Sequence, residues 1–199
     1  MFSYGATKEK DVEDVVVHDN MILFWKAPSC YCQWTPCAFT VNDVTYNCTE
    51  QYMMAEKARL FGDEEALEKI MKTTSPSSQK SYGRKVLRFD DEVWSKNCMR
   101  IVEEGNYAKF SQNPKFKEEL LASGTKILAE ASPYDKVWGI GLSAYSPLAY
   151  DKKTWKGRNM LGTALMNVRD RLRKEEQDAR DATMARLLQK DALNFGAKS

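Results

Sequence analysis

Histidine is nearly missing from this chain: His18 is the single one among 199 residues. A Ser/His or Cys/His catalytic pair would rest wholly on a residue in a polar stretch ahead of the first apolar segment, so carboxylate and lysine chemistry takes precedence. Cysteine is sparse and poorly spaced for a metal. Cys30-Tyr31-Cys32 is CxC rather than CxxC, and Cys37, Cys48 and Cys98 bring no histidine partners, so neither a metal nor any other cofactor is expected. The odd number of thiols points to a reducing compartment, cytoplasm or nucleus. No apolar run approaches the roughly 20 residues that a bilayer span needs, and residues 1–20 are acidic and polar rather than signal-like, so an intracellular protein without a membrane partner is expected. An excess of either charge is also missing. Thirty basic against 28 acidic residues leave +2, which excludes a global polycation and makes a local basic cluster the route to phosphate.

What is present organises as a single compact domain, mainly α with a small β-hairpin element. Residues 1–20 show no period and read as a loose leader; the domain is expected over 21–173 and a charged helical extension over 174–199. Residues 21–25 are strand-like, and 38–41 with 44–46 read as a hairpin around Asn42-Asp43. Helices are expected over about 48–60, stopping at Gly62; 64–71; a short one opened by Ser75-Pro76 and ended by Gly83; 90–110; and one opened by Asn113-Pro114 and ended before Gly124. Residues 133–157 are aromatic and lack a helical period; loops of that length in a compact domain are usually functional or disordered, and the aromatic content disfavours disorder.

The helix starting near Cys48 carries the most chemistry. Seven helical residues turn through roughly 700°, which puts Glu50 and Lys57 on one face about 10 Å apart along the axis. A sugar carbon fits between such a carboxylate and amine. The competing reading makes Glu50 the glutamate of a capping box with Asn47, and Lys57 a surface lysine. Asp135-Lys136-Val137-Trp138-Gly139-Ile140-Gly141 sets a flat aromatic beside two glycines, suited either to stacking on a base or to a buried tight turn. Arg158, Asn159 and Gly162 open the last helix, where unpaired N–H groups can meet an anion. Gly83-Arg84-Lys85 is a second phosphate candidate or a charged helix end. Trp94 has core spacing with Cys98 and Ile101, and Trp25 and Trp34 flank the cysteine loop.

In order and spacing these segments resemble the NADAR family, which includes the YbiA-type proteins. The residues that carry the likeness are Thr49-Glu50-Gln51-Tyr52 with Lys57, Ser75-Pro76 leading to Gly83-Arg84, Trp94 with Met99, Lys109-Phe110, Asp135, Trp138-Gly139-Ile140-Gly141, and Gly157 through Asn159 to Gly162, within residues 22–172. The resemblance implies a YbiA-like, mainly helical α+β domain and a hydrolase of N-glycosidic bonds to ribose. Two substrate classes follow: ADP-ribose on the guanine amino group of DNA or RNA, and phosphoribosyl intermediates of riboflavin synthesis. It also implies Glu50 as the acid, Lys57 as the amine, and Trp94 and Trp138 as substrate-lining residues. Asp135 is a candidate second carboxylate. Lys57 offers another route, an imine with the ring-opened sugar. A non-catalytic nucleotide-binding module is the reading from a different class.

Overall fold

The computed structural model describes residues 15–196. Its elements run β1 (Val15–His18), β2 (Met21–Phe24), β3 (Phe39–Val41), β4 (Val44–Tyr46), α1 (Thr49–Leu60), α2 (Glu64–Lys72), α3 (Pro76–Gly83), α4 (Asp91–Gln112), α5 (Pro114–Ala122), β5 (Ile127–Glu130) and α6 (Met160–Gly196). Local chemistry explains most boundaries. Asn42 and Asp43 both take positive φ, 49° and 63°, and close the β3–β4 hairpin with the primed geometry that strand twist favours. Ser75 Oγ accepts from Ser78 N at 3.3 Å ahead of Pro76, and Asp90 Oδ1 accepts from Val93 N at 2.8 Å, each satisfying a free donor at a helix start. Gly62 turns the chain out of α1 at φ +63°, where a side chain would be strained.

Helix α1 is the hub, packed against α2, α3 and α4. Residues Thr49 to Ala55 are buried without interruption, so this helix has no solvated face over its first two turns. Its buried amide is fully used. Gln51 Nε2 donates to the carbonyls of Ile70, Met71 and Thr73 at the end of α2, and Gln51 Oε1 accepts from Asn47 N at 2.8 Å. Close approach of α3 depends on Gly83, where an added Cβ would lie 2.0 Å from Met54 Sδ. From the same face of α3, one turn earlier, buried Gln79 reaches Asn47 Oδ1 at 3.1 Å and Thr73 O at 2.8 Å.

Two elements depart from the sequence-based expectation. Strand β1 falls inside the stretch read as leader, pairing antiparallel with β2 from Val15↔Phe24 to His18↔Met21; residues 1–14 of that stretch lie outside the described residues. Strand β5, not anticipated, pairs parallel with β2 and sets Glu130 opposite Phe24. Four residues carry too short a pattern to be read alone. One face of the resulting sheet adds Ile22, Phe24 and Leu128 to the main core; the other adds Met21, Leu23 and Ala129 to a smaller cluster with Ile140, Leu142 and Ala149. The long segment 133–157 is therefore the cover of the sheet's second face. Helix α6 runs on from the domain as one helix through the charged extension, with Met184, Leu187 and Leu188 exposed. Among the described residues no helix is long and apolar enough to cross a membrane.

Candidate active site

Glu50 sits in the first turn of α1 and is only 5% exposed. The loop carrying Trp34 is laid across this helix start: Glu50 N donates to Gln33 O at 3.1 Å, and Thr49 Oγ1 donates to the same carbonyl at 3.2 Å. Helix α4 holds that loop from behind, through Lys109 Nζ to Cys32 O at 3.0 Å and Asn106 Nδ2 to Gln33 Oε1 at 3.0 Å. Trp34 is thereby placed so that its indole Nε1–H donates to Glu50 Oε2 at 3.2 Å. The capping reading of Glu50 does not hold: the residue reaching back to Asn47 is Gln51, and the carboxylate is left for the indole. Burial raises the Glu50 pKa, Asp135 adds to the rise, and Lys80, the indole N–H and Arg84 oppose it.

A second carboxyl group, on a half-buried glutamate, stands nearby. Glu130, at the end of β5, has its pKa pushed up to about 8, first by burial and then by the charges of Asp135 and Glu50, with Lys80 opposing. Its Oε2 is buried and has no hydrogen-bond partner among the described residues. Beside this pair opens a cleft of about 380 Å³ lined by Trp34, Ser77, Lys80, Ser81, Arg84 and Lys85. Ser77, Lys80, Ser81 and Arg84 fall at i, i+3, i+4 and i+7, one face of α3, and Lys80 Nζ lies 5.9 Å from the centre of the Trp34 ring. An acid pair joined through Trp34 to a basic, hydroxyl-lined cleft suits a phosphorylated ligand whose reacting bond is sensitive to protons.

The NADAR domain model matches residues 23–173. The chain belongs to the NADAR family. It is 43% identical over 145 residues to N-glycosidase R617 of Acanthamoeba polyphaga mimivirus, covering 70% of this chain and 85% of that one. A riboflavin biosynthesis protein of Vibrio vulnificus is 28% identical over 137 residues, 69% of this chain and 34% of its own. The NMR structure of the Escherichia coli protein YbiA superposes with a TM-score of 0.66 at 25% identity, over 83% of this chain and 92% of that one.

Within this NADAR domain the other residues singled out from sequence separate into two groups. Arg84 and Trp34 line the cleft. Lys57 is half-buried elsewhere along α1, its Nζ 4.2 Å from the Phe89 ring centre and 5.4 Å from that of Trp94. Burial lowers its pKa, Asp91 raises it and Arg84 lowers it further. The strongest cationic influence on Glu50 thus comes from Lys80 on α3, while Arg84 acts on both ends of the α1 face. Asp135 stays near the acid pair, but its Oδ1 accepts from Val137 N and Trp138 N, both at 2.8 Å, and so builds the turn.

The glycines and Asn159 have packing duties where ligand contacts were expected. A Cβ on Gly139 would lie 2.9 Å from both Asp135 O and Glu130 O, and one on Gly162 would lie 2.0 Å from Leu128 O. Gly141 takes φ +68°. Gly83 serves the α1–α3 contact described above. Asn159 is buried at φ +53°, with Oδ1 accepting from Glu130 N at 3.0 Å and Nδ2 donating to Leu128 O at 2.9 Å, so both ends of its amide are spent on β5. Trp94 and Trp138 are half-buried against the main core, and Trp25 lies 6.0 Å from Tyr134, ring centre to ring centre. Arg158 is exposed in a run with Lys152, Lys153 and Lys156. Sequence reading missed Lys80 and Glu130. The period of α3 signalled the first; a glutamate ending an apolar four-residue run was the faint signal of the second.

Proposed function

We propose that this NADAR domain hydrolyses the N-glycosidic bond of a phosphorylated ribose, and that its substrate is ADP-ribose carried on the guanine amino group of DNA or RNA. The observation that carries the reading is the buried Glu50 carboxyl group, held by the indole of Trp34, which also lines the Lys80–Arg84–Lys85 cleft. Cleavage develops positive charge at the anomeric carbon and needs a proton for the leaving nitrogen, and a carboxyl pair supplies both services. Three cations and two serines around one cleft favour a diphosphate over a single phosphate. The exposed basic run 152–158 offers contacts to a nucleic-acid backbone despite the balanced net charge. Asp135 tunes the pair through its charge.

The relative named for riboflavin biosynthesis supports a second reading, a phosphoribosyl pyrimidine as substrate. A pure binding module has less support, because binding ADP-ribose does not call for two neighbouring acids of raised pKa. Lys57, with its lowered pKa, keeps the imine route open as an alternative to direct hydrolysis. The test is to incubate the full chain side by side with guanine-ADP-ribosylated DNA, the corresponding RNA and the phosphoribosyl pyrimidine. Release of ADP-ribose from either nucleic acid is expected; turnover of the pyrimidine alone would transfer the assignment to the second reading, and binding without turnover of any of them would make this a binding module.

A further inference from the structure

We infer that Glu130 is the general acid of this site, delivering the proton that the base nitrogen takes as its bond to the sugar breaks, while Glu50 works as the carboxylate. The inference rests on the reading of the site as an N-glycosidase centre and divides its labour between two named groups.

Placement comes first. Side chains alternate along a strand, and in β5 Ile127 and Ala129 pack into the smaller cluster while Leu128 enters the main core. Glu130 therefore leaves the sheet on the Leu128 side, toward the core that α1 and Glu50 belong to. Its backbone is pinned at both ends: N–H to Asn159 Oδ1 at 3.0 Å, and C=O accepting from Ile140 N at 2.8 Å. A side chain on a strand end held this way has a defined reach, which a proton donor needs.

Partners come second. Burial and Asp135 raise the pKa of both acids, but Glu50 accepts the indole N–H of Trp34 and has Lys80 and Arg84 in its surroundings, all of which favour the ionised form. Glu130 has Asp135 and Glu50 as anionic neighbours against Lys80 alone, and its Oε2 is buried with no donor among the described residues. A buried polar atom left unpaired is uncommon in folded proteins, and at a reaction centre the missing partner is the substrate. Two neighbouring carboxyl groups so unequally supplied with donors and cations divide into acid and base.

The step balances. As the C1′–N bond breaks, its electron pair goes to nitrogen, and nitrogen takes the proton from the Glu130 carboxyl group. Water adds to C1′ and gives a proton to the Glu50 carboxylate, which returns it through solvent to Glu130, leaving free base and the 1′-hydroxyl sugar. No oxidant, reductant or further reactant enters.

The experiment uses the full chain and whichever substrate it hydrolyses. In the wild type, kcat should fall tenfold per pH unit above about 8. Glu130→Gln should lower kcat by at least about a hundredfold with KM little changed, and should lose that alkaline limb. Carbon-13 carboxyl NMR on glutamate-labelled protein should show one group titrating near 8 in the wild type, a signal missing from Glu130→Gln. A variant that keeps the wild-type kcat and alkaline limb, or a wild type in which no glutamate titrates above pH 7, overturns the assignment. Should Glu130→Gln fail to fold, the wild-type titration and pH profile decide alone. Failure of every substrate with the wild type would instead refute the glycosidase reading, which separates the two.

Discussion

Replacing Glu130 by glutamine should make the protein more stable relative to the wild type as pH rises, and the size of the effect follows from the site. Burial and two neighbouring anions lift the Glu130 pKa from an ordinary 4.5 to about 8. The folded pKa lies above the unfolded one, so the stabilisation that protonation brings is fully present below pH 4.5 and is lost as pH climbs to about 8. At about 1.4 kcal/mol per pKa unit, the whole span corresponds to roughly 5 kcal/mol, and the interval from pH 5 to pH 7.5 to about 3 kcal/mol. Glutamine carries no such titration. The difference in unfolding free energy between Glu130→Gln and the wild type should thus shift by about 3 kcal/mol in favour of the variant over that interval, equivalent to roughly 6–12 °C in melting temperature for a domain of this size. Urea unfolding at pH 5 and pH 7.5, followed by the fluorescence of the five tryptophans, measures it. A difference that stays constant within about 0.5 kcal/mol between the two pH values would refute the picture of a desolvated, protonated Glu130, because every pH-dependent term common to both proteins cancels.

Glu50→Gln should lower turnover by at least about a hundredfold while thermal unfolding changes little, since Gln51 and not Glu50 reaches back to Asn47; near-normal turnover would remove Glu50 from the mechanism. Arg84→Met, in the cleft wall, should raise KM for a phosphorylated substrate roughly 10- to 100-fold, the loss of a charged hydrogen bond, and should flatten the salt dependence of KM; an unchanged KM would move the phosphates elsewhere. If the imine route operates, borohydride with ADP-ribose should fix an adduct on Lys57, and Lys57→Arg should abolish it, because guanidinium stays protonated. Full activity in Lys57→Arg with no adduct on the parent protein would leave direct hydrolysis. Gly83→Ala should cost about 1–3 kcal/mol by pushing α3 off α1, with titration calorimetry showing weaker ADP-ribose binding, because the Cβ meets Met54 Sδ at 2.0 Å.

The chain by itself determined what depends on neighbours a few residues away. Ser75-Pro76, Asn42-Asp43, Gly62 and Asp90 bound their elements through local hydrogen bonds and φ preferences that any context would respect. The family was legible for the same reason, since its motifs are short and ordered along the chain, and Glu50 stood out within one helix. Only the tertiary structure decided which charges act on that glutamate. Helical spacing offered Lys57, yet the approach of α3 across Gly83 brings Lys80 and Arg84 into the field of Glu50. The parallel pairing of β5 with β2 brings Glu130, eighty residues along, to the same place. Electrostatic and desolvation energies follow distance and burial through space, and packing between segments far apart in the chain sets both.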